Sequence, residues 1–191
     1  ERFLPAIAMI KANTQVVHFD SNNDYRLRHI EKAGIYHTPD NEQAHHSLEI
    51  SFTHFADHAL PDSTPIELFA REINIIKQAG RVIWFDFAAL CSPPRSQNDY
   101  LALCEQYDTV IISHIPQIKA TQTQQAVLLI KLIDVLYDSR TRLIASAAVP
   151  IQSIYTEGKM AFEFQRTVSR LIEMNTLDYF MQHDRPNTHD N

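Results

Sequence analysis

Two runs decide the fold of this chain: Thr109-Val-Ile-Ile-Ser-His-Ile115 and, about thirty residues on, Arg142-Leu-Ile-Ala-Ser-Ala147. The first is β-branched and apolar on both alternating faces, the pattern of a strand covered on both sides, and Pro116 ends it. After the polar link Lys119-Ala-Thr-Gln-Thr-Gln124, the residues Ala126, Leu129, Ile130, Ile133, Leu136 and Tyr137 recur at helical spacing, with Lys131, Asp134 and Asp138 turned away. The second run is a short strand closed by Pro150. A crossover of this length between two strands favours parallel pairing with a right-handed connection. The unit reads as the core of an α/β domain.

Composition sets the limits around that core. With 191 residues and 45% hydrophobic content, the chain can bury one ordinary domain or two small ones. A net charge of -6 argues against a general nucleic-acid binder, which needs clustered Lys and Arg to neutralise phosphates. No apolar run approaches the roughly 20 residues of a membrane span, and no signal-peptide pattern precedes the first structured segment, so a soluble, intracellular chain is expected. Cys91 and Cys104 lack CxxC spacing and sit among Ala and Leu, which predicts reduced core thiols.

Outward from the core, Phe3, Ile7 and Ile10 already carry helical periodicity, and Glu1 is not an initiator methionine, so the chain is expected to start inside an element, as a fragment would. Residues 15–19 read as a strand, 20–24 as a polar turn, and 40–58 as a helix with Leu48, Phe52 and Phe55 on one side. Asp62-Ser-Thr-Pro65 is the best linker. Beyond it, 66–69, 73–76 and 81–87 are β-prone, with Lys77-Gln-Ala-Gly80 placed to turn between the last two, so a hairpin or meander is expected near residues 66–90. Asn98 or Asp99 suits the cap of a helix running through Tyr107. Residues 164–181 read as a long helix within a single α/β region spanning 1–183, and 184–191 as a disordered polar tail.

Few residues invite a chemical reading. His54 and His58 lie four apart, with His45 and His46 about two turns earlier, but no His-Glu-x-x-His pattern or cysteine cluster accompanies them, and exposed helix histidines are the preferred account. Ser146 and Ser169 lack the setting of a nucleophile elbow. Asp86 in Trp84-Phe-Asp-Phe87 reads as a strand-borne acid or, more plainly, as the solvent-facing or capping member of an alternation. A phosphate-binding loop needs closely spaced glycines followed by Lys and Ser or Thr; this chain has only Gly34, Gly80 and Gly158.

A set of short blocks nevertheless stands in a recognisable order. Arg2-Phe-Leu-Pro-Ala-Ile7, Asp24-Tyr-Arg-Leu-Arg28, Phe85-Asp-Phe87 with Leu90-Cys91, Asp99-Tyr-Leu101, Leu132-Ile-Asp-Val-Leu-Tyr137 and Phe164-Gln-Arg-Thr-Val-Ser-Arg-Leu-Ile-Glu-Met174 resemble the C-terminal half of the ZapE-type, Afg-like P-loop ATPases. That family includes bacterial cell-division proteins and a mitochondrial branch. The resemblance covers nearly the whole chain apart from residues 38–70, and its last block is the most specific.

The resemblance implies an α/β fold of the P-loop NTPase, AAA+-like type, with a small β-hairpin or meander and flanking helices. It also implies that the Walker A and B motifs precede the Phe-Leu-Pro-Ala-Ile block. On that basis ATP and magnesium belong to the intact family protein, and this chain alone is not expected to bind them tightly. Arg2 and Arg170 match positions suited to an arginine finger or sensor, and Arg26, Arg28 and Arg166 are further candidates for nucleotide contact. Structural ion pairs account for such arginines about as well. The implied partners are an N-terminal nucleotide-binding half, further copies in a homo-oligomer, and division or quality-control proteins, with no nucleic acid and no membrane insertion. The implied location is the cytoplasm, with a mitochondrial branch as the alternative. A non-enzymatic protein-binding module that retains the ATPase fold is the second reading.

Two departures from the family pattern stand out. Val127-Leu128-Leu129 occupies the place of Arg-Arg-Phe, and His114 occupies the place of an Asp before the proline that ends the central strand. The latter lies at a carboxyl edge, where parallel sheets tend to bind ligands; packing or hydrogen bonding is the plainer account of His114.

Without a backbone cradle for the phosphates, this chain alone should neither hydrolyse ATP nor bind it tightly. Isothermal titration calorimetry with Mg-ATP is expected to show no micromolar association; a micromolar, magnesium-dependent isotherm would refute the expectation.

Overall fold

A computed structural model describes residues 35–176, 178 and 179. The expected elements within residues 1–34 and the tail 184–191 lie outside the described residues, as do Arg2, Arg26 and Arg28. In chain order the elements are β1 (Tyr36–His37), α1 (Glu42–Phe55), β2 (Ile66–Leu68), β3 (Arg71–Ile73), β4 (Lys77–Ala79), β5 (Val82–Asp86), α2 (Phe87–Leu90), α3 (Gln97–Gln106), β6 (Thr109–Ile115), α4 (Thr123–Asp138), β7 (Arg142–Ala147), a 3₁₀ turn at Ile151–Ser153, and α5 (Ala161–Met174).

The main sheet has strand order β1-β7-β6-β5-β4. Strands β5, β6, β7 and β1 are parallel, and β4 pairs antiparallel with β5 at one edge. Alternation sorts the side chains of the central strands between two faces. Val82, Trp84, Ile111 and Ile144 pack with Leu48 and Phe52 of α1. Ile83, Phe85, Val110, Ile112, Leu143 and Ala145 join the cluster that holds Leu103 of α3, Leu129, Ile133 and Leu136 of α4, and Leu171 of α5. Among the described residues the result is a three-layer α/β sandwich, with α1 over one face and α3, α4 and α5 over the other. The crossovers from β5 to β6 and from β6 to β7 place α3 and α4 side by side, as the handedness rule for parallel units requires.

The central strand, helix and strand therefore stand where the sequence put them, and several details differ. Lys77-Gln-Ala-Gly80 is not a turn: Lys77–Ala79 is the edge strand, and the reversal is confined to Gly80, with φ +54, and Arg81. On its outer side this edge is closed by the preceding segment: Asp62 and Gln78 exchange backbone hydrogen bonds, Asp62 N–H to the Gln78 carbonyl at 2.8 Å and Gln78 N–H to the Asp62 carbonyl at 2.7 Å, so a short bridge covers the open edge. The β2–β3 hairpin turns at Phe69 and Ala70, both in the left-handed region (φ 52 and 56), where Asn or Gly is the usual signal. Helix α1 is shorter than 40–58, and Asn41 caps it by accepting the Ala44 N–H at 2.9 Å. The cap of α3 is Ser96, not Asn98 or Asp99; buried Asp99 lies in its first turn and accepts the Ser96 N–H at 2.7 Å and the Arg71 guanidinium at 2.5 Å. Helix α5 begins three residues before the expected start and ends at Met174 instead of reaching Met181.

Val127-Leu128-Leu129 does not create an apolar surface. Leu128 and Leu129 are buried in the core and Val127 is half-buried, so the departure from Arg-Arg-Phe is absorbed by packing. Both cysteines are buried free thiols packed in the core, and burial raises the Cys91 thiol pKa above its ordinary value.

Gly158 is required by its surroundings. Its φ is +120, and a Cβ there would stand 2.2 Å from the Tyr155 hydroxyl and 2.8 Å from the Ala120 carbonyl oxygen. Tyr155 is itself fully buried with its hydroxyl unpartnered.

Two stability measurements follow from this packing. Ile133 is fully buried, so Ile133→Ala should cost about 2–5 kcal/mol in chemical denaturation, as large-to-small core changes do. Gly158→Ala should cost about 1–3 kcal/mol from backbone strain alone. Adding Tyr155→Phe should restore only part of that loss, because the Ala120 carbonyl still blocks the methyl group; equal stability of Gly158→Ala and the parent would refute the clash.

Candidate functional site

The ends of the described parallel strands β1, β5, β6 and β7 lie along the carboxyl edge of the sheet, where open α/β folds bind their ligands. Asp40 follows β1, Asp86 ends β5, His114 lies near the end of β6, and Ser146 lies near the end of β7. The register between β6 and β7 slips at this point: Ile112 pairs with Ala145 but Ile115 pairs with Ala147, so β6 carries one extra residue. Strict alternation would have turned His114 into the α3–α4 face. The bulge, with His114 at φ 61, instead brings its ring out until the side chain is 52% exposed.

The bulge leaves the His114 amide without a regular ladder acceptor, and Ser146 Oγ takes that role at 3.3 Å. Ser146, itself fully buried, donates its hydroxyl to Asp40 Oδ1 at 2.7 Å. One serine thus ties β6, β7 and the exit of β1 together. On the ring, His114 Nδ1 lies 2.8 Å from Asp86 Oδ2. A carboxylate only accepts, so Nδ1 carries the proton and Nε2 is the ring's outward atom, 4.0 Å from Asp40 Oδ2. The second oxygen of Asp86 accepts the Ala88 N–H at 2.8 Å and caps the short helix α2. Asp86 is therefore a capping residue and a histidine-orienting carboxylate at once. Chemically, the arrangement presents an oriented imidazole between two carboxylates on an accessible rim.

The arginines named from the sequence are placed elsewhere. Arg166 and Arg170, four apart on α5, both reach Asp134 of α4. Arg166 Nη2 lies 2.6 Å from Asp134 Oδ2 and its side chain is 64% exposed. Arg170 is only 20% exposed; it binds the other oxygen of Asp134, lies 3.4 Å from Asp138, and stacks its guanidinium 4.8 Å from the centre of the Tyr137 ring. Tyr137 donates its hydroxyl to Glu173 at 2.9 Å, which raises the phenol's pKa, and stacks on Tyr179 at 5.4 Å. The structure brings Arg166 and Arg170 together as a tie between two helices. Asp134 and Asp138, read from sequence as facing away from the core, are the acceptors of that tie.

The remaining sequence candidates have ordinary settings. The His45 ring packs 5.0 Å from Trp84, and the His54 ring meets Phe55 edge-on at 4.9 Å. Ser169 donates to the Gln165 carbonyl at 3.1 Å. Among the described residues, no group of three His, Cys, Asp or Glu is placed to hold a metal ion, and no helix is long and apolar enough to cross a membrane. Sequence reasoning named Asp86 and His114 but missed Asp40 and the linking role of Ser146, since neither sits in a recognisable motif.

The two arginines should separate in stability. Arg170→Ala is expected to lose about 1–3 kcal/mol, the range of charge-assisted hydrogen bonds with limited solvent access. Arg166→Ala should lose no more than about 1 kcal/mol, as exposed ion pairs do. Thermal or urea unfolding of the two variants side by side checks the order, and a larger loss at Arg166 would overturn it.

Comparison with known proteins supplies the family. A family profile described as AFG1-like ATPase matches residues 1–183. The chain is 32% identical to the cell division protein ZapE of Escherichia coli strain K12 over 93% of its own length and 48% of that protein. It is 37% identical to an uncharacterized protein of Schizosaccharomyces pombe over 81% of this chain and 35% of that protein. It is also 27% identical to lactation elevated protein 1 homolog B of Danio rerio, over 96% of this chain and 43% of that protein. The chain thus spans about half the length, or less, of the curated relatives it matches, and no solved structure matches it. With a profile match across nearly all of its length and an α/β architecture built on a parallel sheet, the chain belongs to the AFG1-like ATPase family.

Proposed function

We propose that this chain acts as the C-terminal region of a ZapE-like ATPase, in which ATP and magnesium are bound by a Walker-bearing half and this region completes the working unit from the arginine side. The observation that carries the reading is the family match over residues 1–183 in a sequence that contains no Gly-rich Lys-Ser/Thr loop. Arg2 and Arg170 stand as the finger or sensor residues, with Arg26, Arg28 and Arg166 as further nucleotide contacts. For Arg170 to act on a phosphoryl group it must leave Asp134 and Asp138, whereas Arg166, itself exposed, has to give up a single partner, Asp134. An aligned cation of this kind acts on charge in the transferring phosphoryl group. Homo-oligomer contacts and partners of the cell-division or quality-control type belong to the same reading, as does residence in the cytoplasm or, for the mitochondrial branch, in that organelle.

The second reading is a protein-binding module that retains the ATPase fold, and it draws on the same ion pairs: guanidiniums already neutralised on α4 are committed to holding helices together. Under it, the accessible Asp86–His114 rim is the exposed polar feature of the sheet edge available for partner contact.

Turnover separates the two. In a protein carrying this chain together with the upstream Walker motifs, Arg170→Ala is expected to lower kcat for ATP by tenfold or more if the arginine reads the nucleotide. Unchanged turnover with a lowered melting temperature would assign Arg170 to structure alone and favour the module.

A further inference from the structure

We draw no further inference here: the strongest candidate, the Asp40–Asp86–His114–Ser146 cluster at the carboxyl edge of the sheet, belongs to the site already described, and nothing in the structure shows what would bind to it.

Discussion

Burial of the three central strands on both faces is the constraint from which the rest of the architecture follows. Val82, Ile83, Trp84 and Phe85, then Val110, Ile111 and Ile112, then Leu143, Ile144 and Ala145 are all removed from water. A sheet that is apolar on both sides cannot stop at two layers. Helix α1 has to cover one face and α3, α4 and α5 the other, and the parallel pairing that these crossovers impose brings the strand ends out along one edge. Polar chemistry is thereby concentrated at the ends of the strands, since their middles have no room for it.

The same constraint explains how Trp84 and Ser113 are accommodated. Both are fully buried, and the indole N–H finds its acceptor in Ser113 Oγ at 3.2 Å, across the β5–β6 pair. A buried indole without such an acceptor would carry a desolvation cost of about 1–3 kcal/mol. Ser113 therefore belongs to the core as a hydrogen-bond partner, although by composition it reads as a polar interruption of an apolar strand. One residue later, the bulge releases His114 to the rim. Thus β6 goes from core to edge within two residues.

Legibility in the sequence follows the range of the interactions involved. The β6–α4–β7 unit was readable because its apolar periodicity is local: each strand and helix declares its covered face within a few residues. The edge strand β4 was not, since Lys77-Gln-Ala79 has no β-branched residue and is held by non-local pairing with Val82 to Trp84 on one side and with Asp62 on the other. The Phe69-Ala70 turn was hidden for a related reason, in that it uses left-handed backbone without the glycine or asparagine that normally announces it. At the candidate site, Asp86 and His114 were visible as oddities in apolar runs. Asp40 and Ser146, 106 positions apart, become partners only through the β1–β7 pairing, which no local pattern records.

The two polar assemblies differ in how firmly each group is held, and that difference bears on what each can do. Around Arg170, the guanidinium has two carboxylates and an aromatic face as partners, and it is mostly withdrawn from water. Moving it would expose the Tyr137 face and leave Asp134 with Arg166 alone. At the carboxyl edge the backbone of His114 is fixed by Ser146, while its ring keeps one nitrogen directed outward and half of its side chain in solvent. A group fixed at its base and open at its tip can meet a ligand without breaking the contacts that hold the sheet, whereas Arg170 can do so only by giving up its contacts with Asp134, Asp138 and Tyr137. Within this chain the arginine cluster therefore ties α5 to α4, while the strand-end cluster leaves the His114 ring open to solvent.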